Sequence, residues 1–178
     1  MSVAGLLALI VAASLVAGGQ ANTKAIGSIH SGRAAPSAPC RGEDLTVRHV
    51  TDDAAMGGQR TIDYAFKNTS SSSCTLIGYP RFELLDESGR GRPRGRAINS
   101  PQLPGEDAKQ QPQLMTIYPE NEAEFRVYYN SGGAGYVGKP CPVSRKVRII
   151  APGTTRPFIL RERISSCREI QVSAVHSE

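Results

Sequence analysis

The sequence predicts an all-β domain, and three observations carry that prediction. Apolar residues recur at every second position in one short segment after another. Clusters of Gly, Pro, Asn and Ser, the residues that turn a chain at low steric cost, separate those segments. Four cysteines then bracket two pairs of the segments. Beyond the amino-terminal region no stripe of apolar residues at helical spacing is visible.

The segments are legible in chain order. In 45–51, Leu45 and Val47 share a face, with His49 next in line. In 60–68, Ile62, Tyr64 and Phe66 oppose Thr61, Asp63 and Lys67. Phe82 and Leu84 mark a strand that follows Gly78, Tyr79 and Pro80. The segment 122–130 alternates most cleanly, with Ala123, Phe125, Val127 and Tyr129 inward and Glu122, Glu124, Arg126 and Tyr128 outward. Val147 and Ile149 in 146–151, Phe158 and Leu160 in 158–163, and Ile170, Val172 and Ala174 continue the pattern. Several such strands indicate a sandwich or barrel, with a core over Ile62, Tyr64, Phe66, Phe82, Leu84, Phe125, Val127, Val147, Ile149 and Val172. The segment 87–113 lacks an apolar face and reads as a long crossover or exposed loop, with a short edge strand near 97–99.

The cysteines follow one plan twice: Cys, strand, turn, strand, Cys. An antiparallel hairpin sets the start of its first strand beside the end of its second. Cys40 is therefore expected to bond Cys74, and Cys141 to bond Cys167. Crossed pairings would require the two hairpins to meet at one end of the domain.

Residues 1–21 have the form of a secretory signal peptide: an apolar run from Gly5 to Ala17, then small residues up to Ala21. The run is shorter than the ~20 residues of a membrane span. No cysteine follows it directly, which argues against a lipid anchor. Residues 22–39, rich in Ser, Pro and small residues, read as a flexible linker, and 40–178 as the folded domain. An even cysteine count behind an export signal implies disulfides and a secreted or cell-envelope location, extracellular or periplasmic. The mature chain carries no candidate transmembrane span.

The net charge of +5 is unevenly placed. From Lys139 onward there are eight basic residues against three acidic ones, which accounts for the whole excess. If Val147 and Ile149 face the core, Lys146 and Arg148 face out, and so do Arg161 and Arg163 on the next strand. Like charges across a strand pair are destabilising, so the arrangement suggests an anionic partner: an envelope polymer, lipid headgroups or an acidic protein. The alternative is an ordinary basic surface with Glu162 or Glu83 as counter-charges. A second basic run, RGRPRGR, contains Arg90, Arg92, Arg94 and Arg96. Its core resembles a minor-groove clamp. Four residues are too short a match, and an exported protein meets little chromosomal DNA, so the run reads as a solvated, mobile loop that is also a candidate for anions.

Certain residues carry a resemblance. CRGEDL at Cys40, the strand end KNTSSSSCTLIGYPRFELLDESG, and YPENEAEFRVYY are similar to the domain of unknown function 4232 family of bacterial exported proteins. The most specific part is Cys74, Thr75, Leu76, Gly78, Tyr79 and Pro80. The resemblance implies an immunoglobulin-like antiparallel β-sandwich of about seven to nine strands, with no assigned activity. A structural role suits the motif: Gly78 permits a tight bend, Pro80 suits the start of a strand, and Tyr79 can bury its ring.

No nucleophile elbow, zinc-protease helix or phosphate loop is present. His30, His49 and His176 lie far apart and away from the cysteines, so no metal or cofactor is expected. His49, buried or exposed, is a lone histidine in sequence. Asp52 with Asp53, and Asp86 with Glu87, read as acidic strand ends, and the serines 70–73 as a turn. Asn68 fits the N-glycosylation pattern but reads as a turn residue. The expected function is thus a non-enzymatic binding or structural domain. A binder of polyanions through the basic hairpin is the second reading, and an unrecognised hydrolase the third.

Overall fold

The alternating segments fold as strands. The computed structural model describes residues 37–104, 109, 111–132 and 140–177, and only the backbone of residues 93 and 94. The expected signal peptide and most of the expected linker lie outside the described residues. In chain order the strands are β1 Leu45–Ala55, β2 Gln59–Asn68, β3 Cys74–Leu76, β4 Arg81–Leu85, β5 Gly91–Arg96, β6 Ile98–Asn99, β7 Met115–Ile117, β8 Glu122–Asn130, β9 Val143–Ser144, β10 Lys146–Ile150, β11 Pro157–Leu160, β12 Ile164–Ser165 and β13 Gln171–Val172. Two single-turn 3-10 segments, Gly42–Asp44 and Met56–Gly58, are the helical pieces among the described residues.

A five-stranded sheet has the order β1-β2-β8-β13-β6, and a four-stranded sheet the order β11-β10-β4-β5. Together they hold the number of strands expected for the sandwich. The small pairs β3–β7 and β9–β12 add four more. Those are segments of two or three residues, too short for alternation to reveal.

The two sheets share one core. Tyr64, Phe66 and Phe125 of the first sheet and Phe82 of the second are fully buried. The Tyr64 and Phe82 rings meet at 5.7 Å, and Phe66 reaches Phe158 of β11 at 6.3 Å. Every residue of the expected core is buried. Each such aromatic ring contributes roughly 2–3 kcal/mol by leaving water, so on these strands the alternating apolar residues select which face turns inward.

Both expected disulfides form. Cys40–Cys74 has a Cα separation of 4.8 Å and Cys141–Cys167 one of 4.7 Å. Beyond the β1–β2 hairpin, Cys40 N donates to Thr75 O at 2.9 Å. Beyond β10–β11, the β9–β12 pair and a Ser166 N to Pro142 O bond extend the ladder to the second bridge. The staple thus sits at the open end of each hairpin.

Three expectations need correction, and the burial of one outward residue is new. The folded unit starts before Cys40: Thr75 N donates to Ala38 O, and the Ser37 and Ser73 hydroxyls meet at 3.0 Å, so residues 37–39 are not linker. RGRPRGR is not a mobile loop, because Gly91–Arg96 is the edge strand β5. Its ladder with β4 jumps from Leu85↔Gly91 to Glu83↔Arg96, an irregularity at which an edge strand accommodates Pro93. The short strand β6 lies where the edge strand near 97–99 was expected. It pairs in parallel with β13, however, so the sandwich is not wholly antiparallel. The chain reaches it directly from the second sheet, through Ala97, whose N donates to Phe82 O. Finally, Asp63 faces outward but is buried, because Arg126 on β8 covers it and binds both its oxygens at 2.7 and 2.9 Å.

The Cys-Thr-Leu-x-Gly-Tyr-Pro segment behaves structurally. Gly78 has φ +107°, a conformation costly for any side chain, and its carbonyl accepts from Val175 N. Pro80, buried, leads into β4.

Candidate anion-binding face

The outer face of the four-stranded sheet follows from its register. Val147, Ile149, Phe82 and Leu84 point inward, which leaves Lys146, Arg148 and Ile150 of β10 and Arg81 and Glu83 of β4 on the other side. Cross-strand neighbours on that side are Arg148 with Glu83, Ile150 with Arg81, and Glu83 with Arg96 of β5. On the other flank Arg148 lies opposite Ile159 of β11. Lys146 lies one position beyond the Val147–Leu160 pair, in line with Arg161.

The predicted hairpin patch therefore divides. Lys146, Arg161 and Arg163 come together with Arg145 and Glu162 around an open cavity of about 400 Å³. These four cations make no ion pair with a described residue. Arg148 is different and corrects the expectation of basic cross-strand neighbours. It bonds Glu83 Oε2 at 2.8 Å and Gly89 O at 3.1 Å, and its neighbour on β11 is apolar. Arg148 instead lines a second, smaller cavity of about 110 Å³ with Arg81, Glu83, Arg96, Ile150 and Phe82, whose side chain is itself fully buried.

The arginines of the second basic run scatter. Arg96 joins that smaller cavity. Arg90 is exposed in the turn before β5, where its backbone N donates to Asp86 Oδ1 at 2.9 Å. Arg92 bends back to Ser144 Oγ at 3.2 Å. Arg94 is described only as backbone of β5. With its backbone hydrogen-bonded in a sheet, the run does not present the free, extended chain that a groove clamp uses.

Sequence reasoning missed Arg81 and Arg145. Arg81 was legible, since it alternates with the inward Phe82. Arg145 sits in a bend between β9 and β10, where no periodicity reports on direction.

It also missed a contact at the open side of the sandwich. A bulge at Val50 puts both His49 and Asp52 on the inner side of β1, opposite Tyr64 and Ile62. His49 Nδ1–H donates to Glu162 Oε1 at 2.9 Å, and Nε2 lies 3.9 Å from Asp52 Oδ1. Both ring nitrogens are thus turned to carboxylates, and the imidazole ties β1 to the chain just after β11. The fully buried Tyr64 packs on His49 with ring centres 5.7 Å apart, and its hydroxyl has no hydrogen-bond partner among the described residues. Burial pushes that hydroxyl far above its usual range, with Glu162 adding to the shift. Glu162 is shared: it holds His49 and is the one carboxylate lining the larger cationic cavity.

Asn68 is a turn residue as expected, but a buried one. Its Nδ2 donates to Ser72 O and Ile117 O, and its Oδ1 accepts from Ser70 N and Oγ.

Among the described residues no helix is long and apolar enough to cross a membrane. No curated protein and no solved structure matches the chain. A family model does match it, over residues 40–176, which begins at the first disulfide and ends at the residue whose backbone pairs with Glu124. The chain therefore belongs to the family described as Domain of unknown function (DUF4232).

Proposed function

We propose that this domain is a non-enzymatic binding module of an oxidising compartment outside the cytoplasm, and that it holds an anionic partner on the outer face of its four-stranded sheet. The observation that carries this reading is the set of four cations, Arg145, Lys146, Arg161 and Arg163, gathered around one cavity with a single carboxylate. Folding gains nothing from that cluster, since like charges at close range repel. An anion of the partner removes the repulsion and forms charge-assisted hydrogen bonds with the arginines. Two disulfides support the compartment, because such bridges persist where the surroundings are oxidising.

Retention on immobilised polyphosphate and on heparin tests the reading. The disulfide-bonded protein is expected to bind at low salt and to elute as rising salt screens the contact. The variant Lys146→Glu/Arg161→Glu/Arg163→Glu is expected to flow through while keeping its wild-type circular dichroism. Equal retention of the folded variant, or no retention of the wild type, contradicts the reading.

A further inference from the structure

We propose that the ligand is a linear polyol-phosphate polymer, lying along the strands so that successive phosphates occupy the two cationic cavities. The proposal rests on the anion-binding reading and adds to it the form and chemistry of the anion.

The two cavities are tandem sites on one face. Lys146 serves the larger and Arg148 the smaller, and these residues are two apart on β10. Alternate residues of a strand are about 7 Å apart. Arg81, opposite Ile150, extends the ladder by one more such step. A compact anion can fill only one of these positions. A polymer whose charges repeat at the same interval meets all of them.

The interval selects the chemistry. Three backbone bonds advance an extended chain by about 3.5 Å, so six advance it by about 7 Å. Six bonds separate adjacent phosphorus atoms linked through a three-carbon polyol. Arg96 and Arg81 supply the guanidinium groups of the smaller site, beside Arg148, whose terminal nitrogens already bond Glu83 and Gly89 O. Beside the charges, which include the Glu83 carboxylate, the face carries two apolar side chains: Ile150 is half-buried and Ile159 is half-exposed. Methylene groups of a polyol fit there. A single-stranded nucleic acid has a similar phosphate spacing but gains much of its affinity by stacking bases on aromatic rings. Among the described residues this face carries no aromatic side chain, because Phe82 and Phe158 turn to the core.

Titration calorimetry with glycerol phosphate oligomers of one to six units tests the proposal on the disulfide-bonded protein. Affinity is expected to rise by about a hundredfold between one unit and three, as the second site is engaged intramolecularly. Arg81→Gln/Arg96→Gln and Lys146→Gln/Arg161→Gln, each at opposite ends of the ladder, are both expected to remove most of that gain while sparing single-unit binding at the remaining site. Length-independent binding overturns the tandem-site proposal while leaving the anion-binding reading intact. An absence of binding by every anion overturns both. Oligothymidylate, oligogalacturonate or phosphatidylglycerol vesicles binding as tightly as the matched oligomer, in phosphate or carboxylate concentration, overturns the polyol-phosphate assignment.

Discussion

Tyr64 and Asn68 show how differently two buried polar groups can be treated. The Tyr64 ring joins β1, β2, β4 and β8 through His49, Phe82 and Phe125, but its hydroxyl is left without a partner among the described residues. A buried unpaired hydroxyl costs about 1–3 kcal/mol. Tyr64→Phe is therefore expected to raise stability by about 1 kcal/mol, read as a higher urea midpoint at unchanged slope. Asn68 is the reverse case, with every polar atom engaged. Asn68→Ala removes four hydrogen bonds, those to Ser72 O, Ile117 O, Ser70 N and Ser70 Oγ, and is expected to cost about 2–4 kcal/mol in the same measurement. The sequence pattern at Asn68 marks a turn correctly. It does not reveal the burial of the side chain, because the bond from Nδ2 to Ile117 O depends on β7, far along the chain.

Among the strands, what was legible is what repeats. Period two reports direction reliably on β8 and β10, where buried and half-buried positions alternate, and on the large apolar residues of β2, whose other face is also covered at Asp63 and Ala65. It fails on β3, β9 and β12, which are too short to repeat, and on β5, where Gly and Pro conceal an edge strand. The bulge at Val50 was equally hidden, and with it the meeting of His49 and Glu162. An outer-face contact gives the first sheet a pH-dependent component. Arg48 of β1 binds Glu122 of β8 at 2.9 Å through Nε, and that hydrogen bond holds the Glu122 carboxyl below its ordinary range. A carboxyl with a depressed folded pKa contributes stability above its unfolded pKa, about 4.3. The contribution is lost as pH falls through the folded value. Since Arg48 is half exposed, its size is about 0.5–1 kcal/mol. Arg48→Gln is expected to lower the unfolding free energy, read from urea titration, by that amount above pH ~5 and to converge with wild type at the bottom of the acid limb.

For the whole molecule, the placement of charge is what distinguishes one face from the rest. The count of basic residues after Lys139 was plain in the sequence, and so was the outward direction of Lys146 and Arg161. Their division into two sites was not, because it depends on Glu83 reaching Arg148 from a strand more than sixty residues away in the chain. Arg81 and Arg96 join the face for the same reason: β4 lies beside β10, and β5 beside β4, only once the sheet has formed. The salt dependence of polyphosphate affinity, measured in solution for wild type and Lys146→Gln/Arg161→Gln/Arg163→Gln, tests the anion-binding claim most directly. Each lost phosphate contact is expected to flatten the slope of log affinity against log salt by about 0.7. The expected result is a slope shallower by about 2 in the variant and weaker binding at low salt, with the urea midpoint not lowered. Equal affinity and equal slope in the two proteins would contradict it.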